Sequence, residues 1–310
     1  MNIVVVIPCY NVAKHIEEVI HAIPSSIAWI ITINDCSKDE TESILVRLAK
    51  EDNRLIYLKH DINQGVGGAM ITGYNKSIEL NADITIKMDG DGQMDPAYIP
   101  ALIKPIDDDK ADFTKGNRFR DFKALRAMPF ARRIGNLGLS FMIKAASGYW
   151  NMFDPTNGYT AIRNETLKSI DVKKIHKRYF FETSMLIELY YTNAVIQDIP
   201  IKARYGDEVS GLSLTKTLFE FPPKLFYALT RRIILKYFLF DFNIASIYFL
   251  FGTPLFVSGS FLGLKNYLMY AGGTVFAPTG TVVIPTLLII LGFQLLLTAI
   301  SYDITNYPKK

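Results

Sequence analysis

Ile84-Thr-Ile-Lys-Met-Asp-Gly-Asp-Gly-Gln93 is the stretch on which the reading of this chain turns. An alternating, β-prone run stops at two carboxylates, Asp89 and Asp91, each followed by a glycine. Side chains two apart on an extended backbone point the same way, so both carboxylates can face one small volume beyond a strand end. Gly90 and Gly92 carry no Cβ, which lets the chain turn sharply and a bulky ligand come close. The two carboxylates and the amide oxygen of Gln93 are hard donors suited to Mg²⁺ or Mn²⁺, ions that share their coordination with substrate phosphates. Taken alone, the spacing fits a polar turn equally well, because Asp and Gly are ordinary turn residues.

The flanking chain alternates strand and helix. Ile3–Ile7 is a continuous apolar run of strand length stopped by Pro8-Cys-Tyr-Asn11, as expected of a strand covered on both faces. Ala13–Ile23 sets Ile16, Val19, Ile20 and Ile23 at helical spacing. Trp29–Ile33 is a second apolar strand ending at Asn34-Asp35, and Ser37-Lys-Asp-Glu40 reads as a capping box that opens a helix with Ile44, Leu45 and Leu48 inward. Leu55–Leu58 is a third strand; a glycine-containing loop, His60–Gly68, leads to a helix through Met70, Tyr74 and Ile78. Pro96 suits the first turn of the helix after the acidic stretch. Asp112–Lys115 and Val195–Arg204 read as further strands. Such alternation predicts an α/β fold, a mostly parallel sheet with helices on both faces. Ligands collect at the carboxyl ends of such strands, where Asp35, Asp89, Asp91 and the Lys115–Arg120 cluster all fall. That coincidence favours the metal reading over the turn.

Composition narrows the rest. The chain has 310 residues, 49 % of them hydrophobic, and a net charge of only +4, which gives no argument for nucleic acid. Cys9 and Cys36 have neither metal spacing nor a disulfide framework. No Gly-x-Gly-x-x-Gly follows the first strand and no Walker-type phosphate loop occurs. The N-terminus lacks the basic region of a signal peptide and reads as a buried strand.

The apolar excess lies toward the carboxyl terminus. Leu214–Phe242 mixes Phe, Leu and Tyr with Lys216, Lys224, Arg231, Arg232 and Lys236, and Pro222-Pro223 divides it into two short interfacial helices. Phe242–Leu264 and Val282–Ile300 are uncharged runs long enough to cross a bilayer. The expected organisation is a catalytic domain over 1–211, amphipathic juxtamembrane helices over 212–242, and a membrane hairpin over 243–310 with spans at about 243–264 and 282–302. Basic residues before the first span and Lys309-Lys310 at the end, against Lys265 alone in the connecting loop, place both termini and the catalytic domain in the cytoplasm.

Six segments in order resemble the family 2 glycosyltransferases of the GT-A fold, and within them the polyprenyl-phosphate glycosyltransferases, the group of dolichol-phosphate mannose synthase and bactoprenol glucosyltransferase. They are Ile7-Pro-Cys-Tyr-Asn11; Asn34-Asp-Cys-Ser-Lys-Asp-Glu-Thr41, with Asn34 where the family has a first Asp; His60-Asp-Ile-Asn-Gln-Gly65; Asp89-Gly-Asp-Gly-Gln93; Lys115-Gly-Asn-Arg118; and Asp154-Pro-Thr-Asn-Gly-Tyr159. The resemblance implies that Pro8, Tyr10, Asn11 and Asp35 line a nucleotide pocket, Asp35 facing the base, with Gly90 close to the donor. It implies that Asp89, Asp91 and Gln93 hold Mg²⁺ or Mn²⁺ on the donor diphosphate. Arg118, Arg120 and Arg204 are candidate clamps for the lipid phosphate, since guanidinium pairs bidentately with phosphate. Asp154 could orient the sugar or an arginine, act as a base, or cap a turn. Glu182 resembles a family acidic position, and a helix-start carboxylate explains it nearly as well. His60 and His176 read as structural.

The implied function is inverting, metal-dependent transfer of a hexose, glucose favoured, from a nucleoside-diphosphate sugar, UDP favoured over GDP, to polyprenyl (undecaprenyl) phosphate at the cytoplasmic face of the membrane. The resemblance to some relatives also leaves a homo-oligomer, a tetramer, open for this chain. The rival readings are extension of a lipid-linked or polymeric saccharide, a non-catalytic membrane scaffold, and a nucleotidyltransferase, which the lack of a glycine-rich phosphate loop with an adjacent Lys opposes.

Overall fold

The computed structural model describes residues 1–118, 130–202, 214–273 and 276–310. It divides into two compact units, Met1–Ala228 with Pro308–Lys310, and Leu229–Tyr307.

In the first unit, β1 (Ile3–Cys9), β2 (Trp29–Asn34), β3 (Leu55–Lys59), β4 (Ile84–Lys87), β5 (Phe113–Asn117), β6 (Thr160–Arg163) and β7 (Ile196–Pro200) form one sheet in the order β3-β2-β1-β4-β6-β5-β7. All pairings are parallel except those of β6, which runs antiparallel to β4 and β5. The helices are α1 (Ile16–His21), α2 (Thr41–Glu51), α3 (Val66–Glu79), α4 (Ile99–Asp107), α5 (Phe130–Ser147), α6 (Asn164–Ser169) and α7 (Phe181–Tyr191). Val5, Ile7 and Ile86 join Ile16, Leu45 and Leu102 in one core cluster, which sets α1, α2 and α4 on one face. The alternate residues face α3, where a Cβ on Gly73 would come within 2.2 Å of Val6. The sheet is therefore buried on both sides, as continuous apolar strands require.

Two starts differ from expectation for one reason. The N–H groups of Asn11, Val12 and Ala13 bond to the side chains of Ser37, Thr41 and Asp39. That ties the β1–α1 loop to the β2–α2 loop and delays α1 to Ile16. It also occupies Ser37, so α2 begins at Thr41 with no capping box, the Thr41 N–H bonding to Asp39 instead. The last strand ends at Pro200, short of the expected Arg204.

The C-terminal segment contains α8 (Leu214–Ile234), a π-helical turn over Leu235–Phe240, α9 (Ile244–Tyr270) and α10 (Thr279–Thr305). The expected break at Pro222-Pro223 is absent, and α8 is one helix through both prolines. Losing two N–H donors weakens such a helix without ending it when its neighbours keep theirs. α9 and α10 each have 27 residues and are long and apolar enough to cross a membrane. They pack closely: a Cβ on Gly292 would lie 2.4 Å from the Phe256 nitrogen, so small residues set the approach. Both helices overrun the expected spans. Lys265 lies within α9 rather than in the loop, and Asp303 lies in the last turn of α10. Asp303 is buried and accepts two bonds from Arg232, at 2.8 and 2.7 Å, and one from the Tyr237 hydroxyl at 2.6 Å.

Candidate active site

The carboxyl ends of β1 and β2 lie side by side, Cys9 being the register partner of Asn34. Just beyond, Asp35 is 3 % exposed. Its Oδ1 bonds His60 Nδ1 at 2.7 Å and accepts from the Gln64 N–H, and its Oδ2 accepts from the Gly65 N–H at 2.7 Å. His60 continues to Thr72 at 2.9 Å. The carboxylate expected to face the base is thus turned inward. A buried carboxylate takes the nearest N–H groups, and here those belong to the 60–65 loop. Asp35 ties the 60–65 loop to the end of β2, with His60 bonded between it and Thr72. Asn34 is fully buried and accepts from the Ser37 N–H. Asn11 sits in the left-handed region, φ 55°, and accepts from the Lys38 N–H, while Tyr10 is exposed beside the site.

The next wall is the end of β4. Val6 is the register partner of Lys87, and the Met88 N–H still bonds the Val6 carbonyl, so Asp89 emerges alongside Pro8. Asp89 is 31 % exposed in its side chain, and its Oδ1 is 2.6 Å from Lys87 Nζ. Asp91 Oδ1 accepts from the backbone N–H of Gln93 at 3.0 Å, over Gly92 at φ 76°. Gly90 is buried against Ile16 and Val12 of the β1–α1 region. The motif therefore puts two carboxylates at the sheet's rim. Among the described residues no three His, Cys, Asp or Glu side chains converge as a ready-made metal cage. Two carboxylates fit Mg²⁺ or Mn²⁺ whose other positions are filled by substrate phosphate and water.

Opposite, Asp154 is fully buried and paired with Arg118, Nε to Oδ2 at 2.8 Å and Nη2 to Oδ1 at 3.2 Å. The Thr156 hydroxyl also donates to Oδ1. The roles left open to Asp154 from sequence included orienting an arginine, and here it is bonded to one. Arg118 keeps 36 % side-chain exposure. Arg120 and Arg204, the other expected phosphate clamps, lie outside the described residues.

Between these walls runs a row that sequence reasoning missed. Lys87, Thr160, Lys115 and Asp198 are successive register partners across β4, β6, β5 and β7. Both lysines are 1 % exposed. Lys115 Nζ donates to the Asn157 carbonyl. Lys87 Nζ lies 3.7 Å from Glu182 at the start of α7, in addition to Asp89. Burial alone would lower the Lys87 pKa, but Asp89, Glu182 and Asp91 outweigh it and hold it above the ordinary value. For Lys115 burial wins, and its pKa falls to about 8. Burial likewise pushes the Asp198 carboxyl up. The available signal was alternation: Thr85, Lys87 and Asp89 share one face of a strand whose other residues are apolar, and lysine is seldom buried without a partner.

The sequence profile described as "Glycosyl transferase family 2" matches residues 4–171. The UDP-N-acetylglucosamine–dolichyl-phosphate N-acetylglucosaminyltransferase of Methanococcus voltae is 35 % identical over 240 residues, covering 73 % of this chain and 94 % of that one. The undecaprenyl-phosphate mannosyltransferase of Micrococcus luteus is 28 % identical over 65 % of this chain and 83 % of its own. In structure, the chain resembles glucosyl-3-phosphoglycerate synthase from Mycobacterium tuberculosis, solved with Mn²⁺ and UDP-glucose. The TM-score is 0.54 at 17 % identity, over 74 % of this chain and 79 % of that one, a likeness of fold.

Proposed function

The chain belongs to glycosyl transferase family 2, and from that premise and the site we propose that it transfers one hexosyl group, with inversion, from a nucleoside-diphosphate sugar to a polyprenyl phosphate at a membrane surface. The observation that carries this reading is the placement of Asp154: it is fully buried and accepts bonds from Arg118 and Thr156 on its two oxygens, so it is engaged in holding the arginine. A hydroxyl acceptor needs a base. A phosphate monoester does not, because its second pKa near 6 leaves the oxygen anionic at neutral pH.

In the reaction the acceptor phosphate oxygen bonds to the anomeric carbon as the bond from that carbon to the donor diphosphate breaks, the electron pair leaving with the diphosphate. Arg118, held by Asp154, orients the acceptor phosphate. The loop tied by Asp35 and the Asn11–Ala13 backbone frame the nucleotide side. Asp89 and Asp91 would hold a Mg²⁺ or Mn²⁺ ion, which when bound neutralises charge on the departing diphosphate. UDP is the favoured carrier, supported by the M. voltae relative, whose name moves the first sugar to test from glucose to N-acetylglucosamine. Anchoring is by α9 and α10 with both termini cytoplasmic, in keeping with Arg231, Arg232 and Lys236 before the hairpin and Lys309-Lys310 after it.

The test is incubation of the purified full chain with a short polyprenyl phosphate, Mg²⁺ or Mn²⁺, and labelled UDP-N-acetylglucosamine, UDP-glucose or GDP-mannose. Label in an acid-labile, organic-extractable product with one donor is the expected result. Label only in a lengthened saccharide would transfer the assignment to chain extension.

A further inference from the structure

The candidate metal ligand Asp89 already has a cation beside it. Lys87 Nζ lies 2.6 Å from Asp89 Oδ1 and 3.7 Å from Glu182 Oε1, and the side chain is almost wholly buried. Gly158 packs over it: a Cβ there would come within 2.4 Å of Lys87 Nζ and 2.9 Å of Asp89 Oδ2. The second buried lysine, Lys115, stands across Thr160 in the same row. Asp89 therefore meets any incoming ion with one oxygen committed to an ammonium and a fixed positive charge within a few ångströms. Like charges so placed repel, and the Glu182 carboxylate, at 3.7 Å from Lys87 Nζ against 2.6 Å for Asp89, offsets that charge only in part.

We propose that Lys87 is a positioning residue that acts through Asp89 as its built-in counter-cation, making divalent-metal binding conditional on the nucleotide's diphosphate. The diphosphate brings the negative charge that Lys87 withholds from the empty site, so metal and nucleotide bind together and are released together. Glu182 is the other half of the arrangement: by sharing the Lys87 charge it limits how far that charge suppresses Asp89. Two substitutions then act in opposite directions. Lys87→Met removes the competing cation and strengthens metal binding to the nucleotide-free protein, whereas Glu182→Gln leaves the full ammonium on Asp89 and weakens it. A lysine needed only for packing, or only to aim Asp89, would weaken metal binding when removed.

This inference rests on the reading of Asp89 and Asp91 as metal ligands, and the experiment separates the two. Mn²⁺ binding to the full chain in detergent is followed by electron paramagnetic resonance, with and without UDP, for the wild type, Lys87→Met and Glu182→Gln. The wild type is expected to bind Mn²⁺ weakly alone and at least about tenfold more tightly with UDP. Lys87→Met is expected to tighten nucleotide-free binding by about tenfold and shrink the UDP effect, and Glu182→Gln to weaken nucleotide-free binding. If Lys87→Met does not fold, Lys87→Gln and Glu182→Gln carry the test with the same signs. Wild-type binding that is independent of UDP, or nucleotide-free binding unchanged or weakened in a folded Lys87 variant, overturns the role of Lys87. No Mn²⁺ binding by the wild type even with UDP overturns the metal reading itself.

Discussion

Arg118 closes on Asp154 with both ends of its guanidinium fork, and the carboxylate it grips is fully buried while the arginine stays a third exposed. On the proposed function the acid is the fixed member of the pair and the arginine the one that meets the acceptor phosphate. Asp154→Asn keeps the shape but sets an amide N–H₂ against guanidinium donors and leaves Arg118 without its counter-charge. The Michaelis constant for the phosphate acceptor should rise by about tenfold or more. The pH profile of kcat should keep its shape. A lost general base would instead lower kcat by about 10²–10⁴ and remove a limb of that profile. Steady-state kinetics across pH distinguishes the two.

Gly158→Ala should damage the site with little damage to the fold. The added methyl meets Lys87 Nζ at 2.4 Å and Asp89 Oδ2 at 2.9 Å, both the far ends of flexible side chains, so the site gives way before the backbone does. Both groups must shift, at an overpacking cost of about 1–3 kcal/mol. The expected result is a modest fall in melting temperature together with a large rise in the Mn²⁺ concentration needed for half-maximal rate. A variant with unaltered metal dependence would show that Asp89 does not have to sit where it does.

The framework was legible because it rests on local signals. Apolar runs of strand length and helical spacing between them located the sheet, and the carboxylates fell at its strand ends, as the structure has them. The inward turn of Asp35 was not legible, because it depends on which backbone N–H groups the 60–65 loop brings within reach once folded. The same holds for Ser37, whose cap-like spacing was overridden when the Asn11 N–H took its hydroxyl. The buried lysine row was half visible. Lys87 stood out from its strand, but only the insertion of antiparallel β6 between β4 and β5 brings Lys87 and Lys115 to either side of Thr160.

Lys115 should give the protein a pH-dependent stability of unusual sign. Burial lowers its pKa from 10.5 to about 8 in the folded chain. Between those values the unfolded chain holds a proton that the folded chain has released, so stability rises with pH across that window. Below about pH 8 both states are protonated and the folded state carries the whole penalty of the buried charge. Melting temperature of the wild type should therefore climb relative to Lys115→Met between about pH 8 and 10. Parallel curves for the two proteins over that range would show that Lys115 is not desolvated as its burial implies.

The Arg232–Asp303 pair predicts a sign change between single and double substitutions. Both groups are buried, the carboxylate receives two guanidinium bonds and the Tyr237 hydroxyl, and the pair ties the end of α8 to the last turn of α10. Removing one partner takes from the other buried charge its nearest counter-charge, at 2.7 Å, with Lys236 left 3.7 Å from Asp303. Asp303→Leu or Arg232→Met alone should each destabilise by about 3–5 kcal/mol. Replacing both removes two desolvation costs together with their attraction, so Arg232→Met combined with Asp303→Leu should recover much of that loss, with Tyr237 and Lys236 losing their bonds to Asp303. Thermal melts of the four proteins in one detergent complete the double-mutant cycle. Additive losses would mean that the two charges are solvated independently, and the clamp at the foot of the hairpin would then contribute nothing to holding α8 against α10.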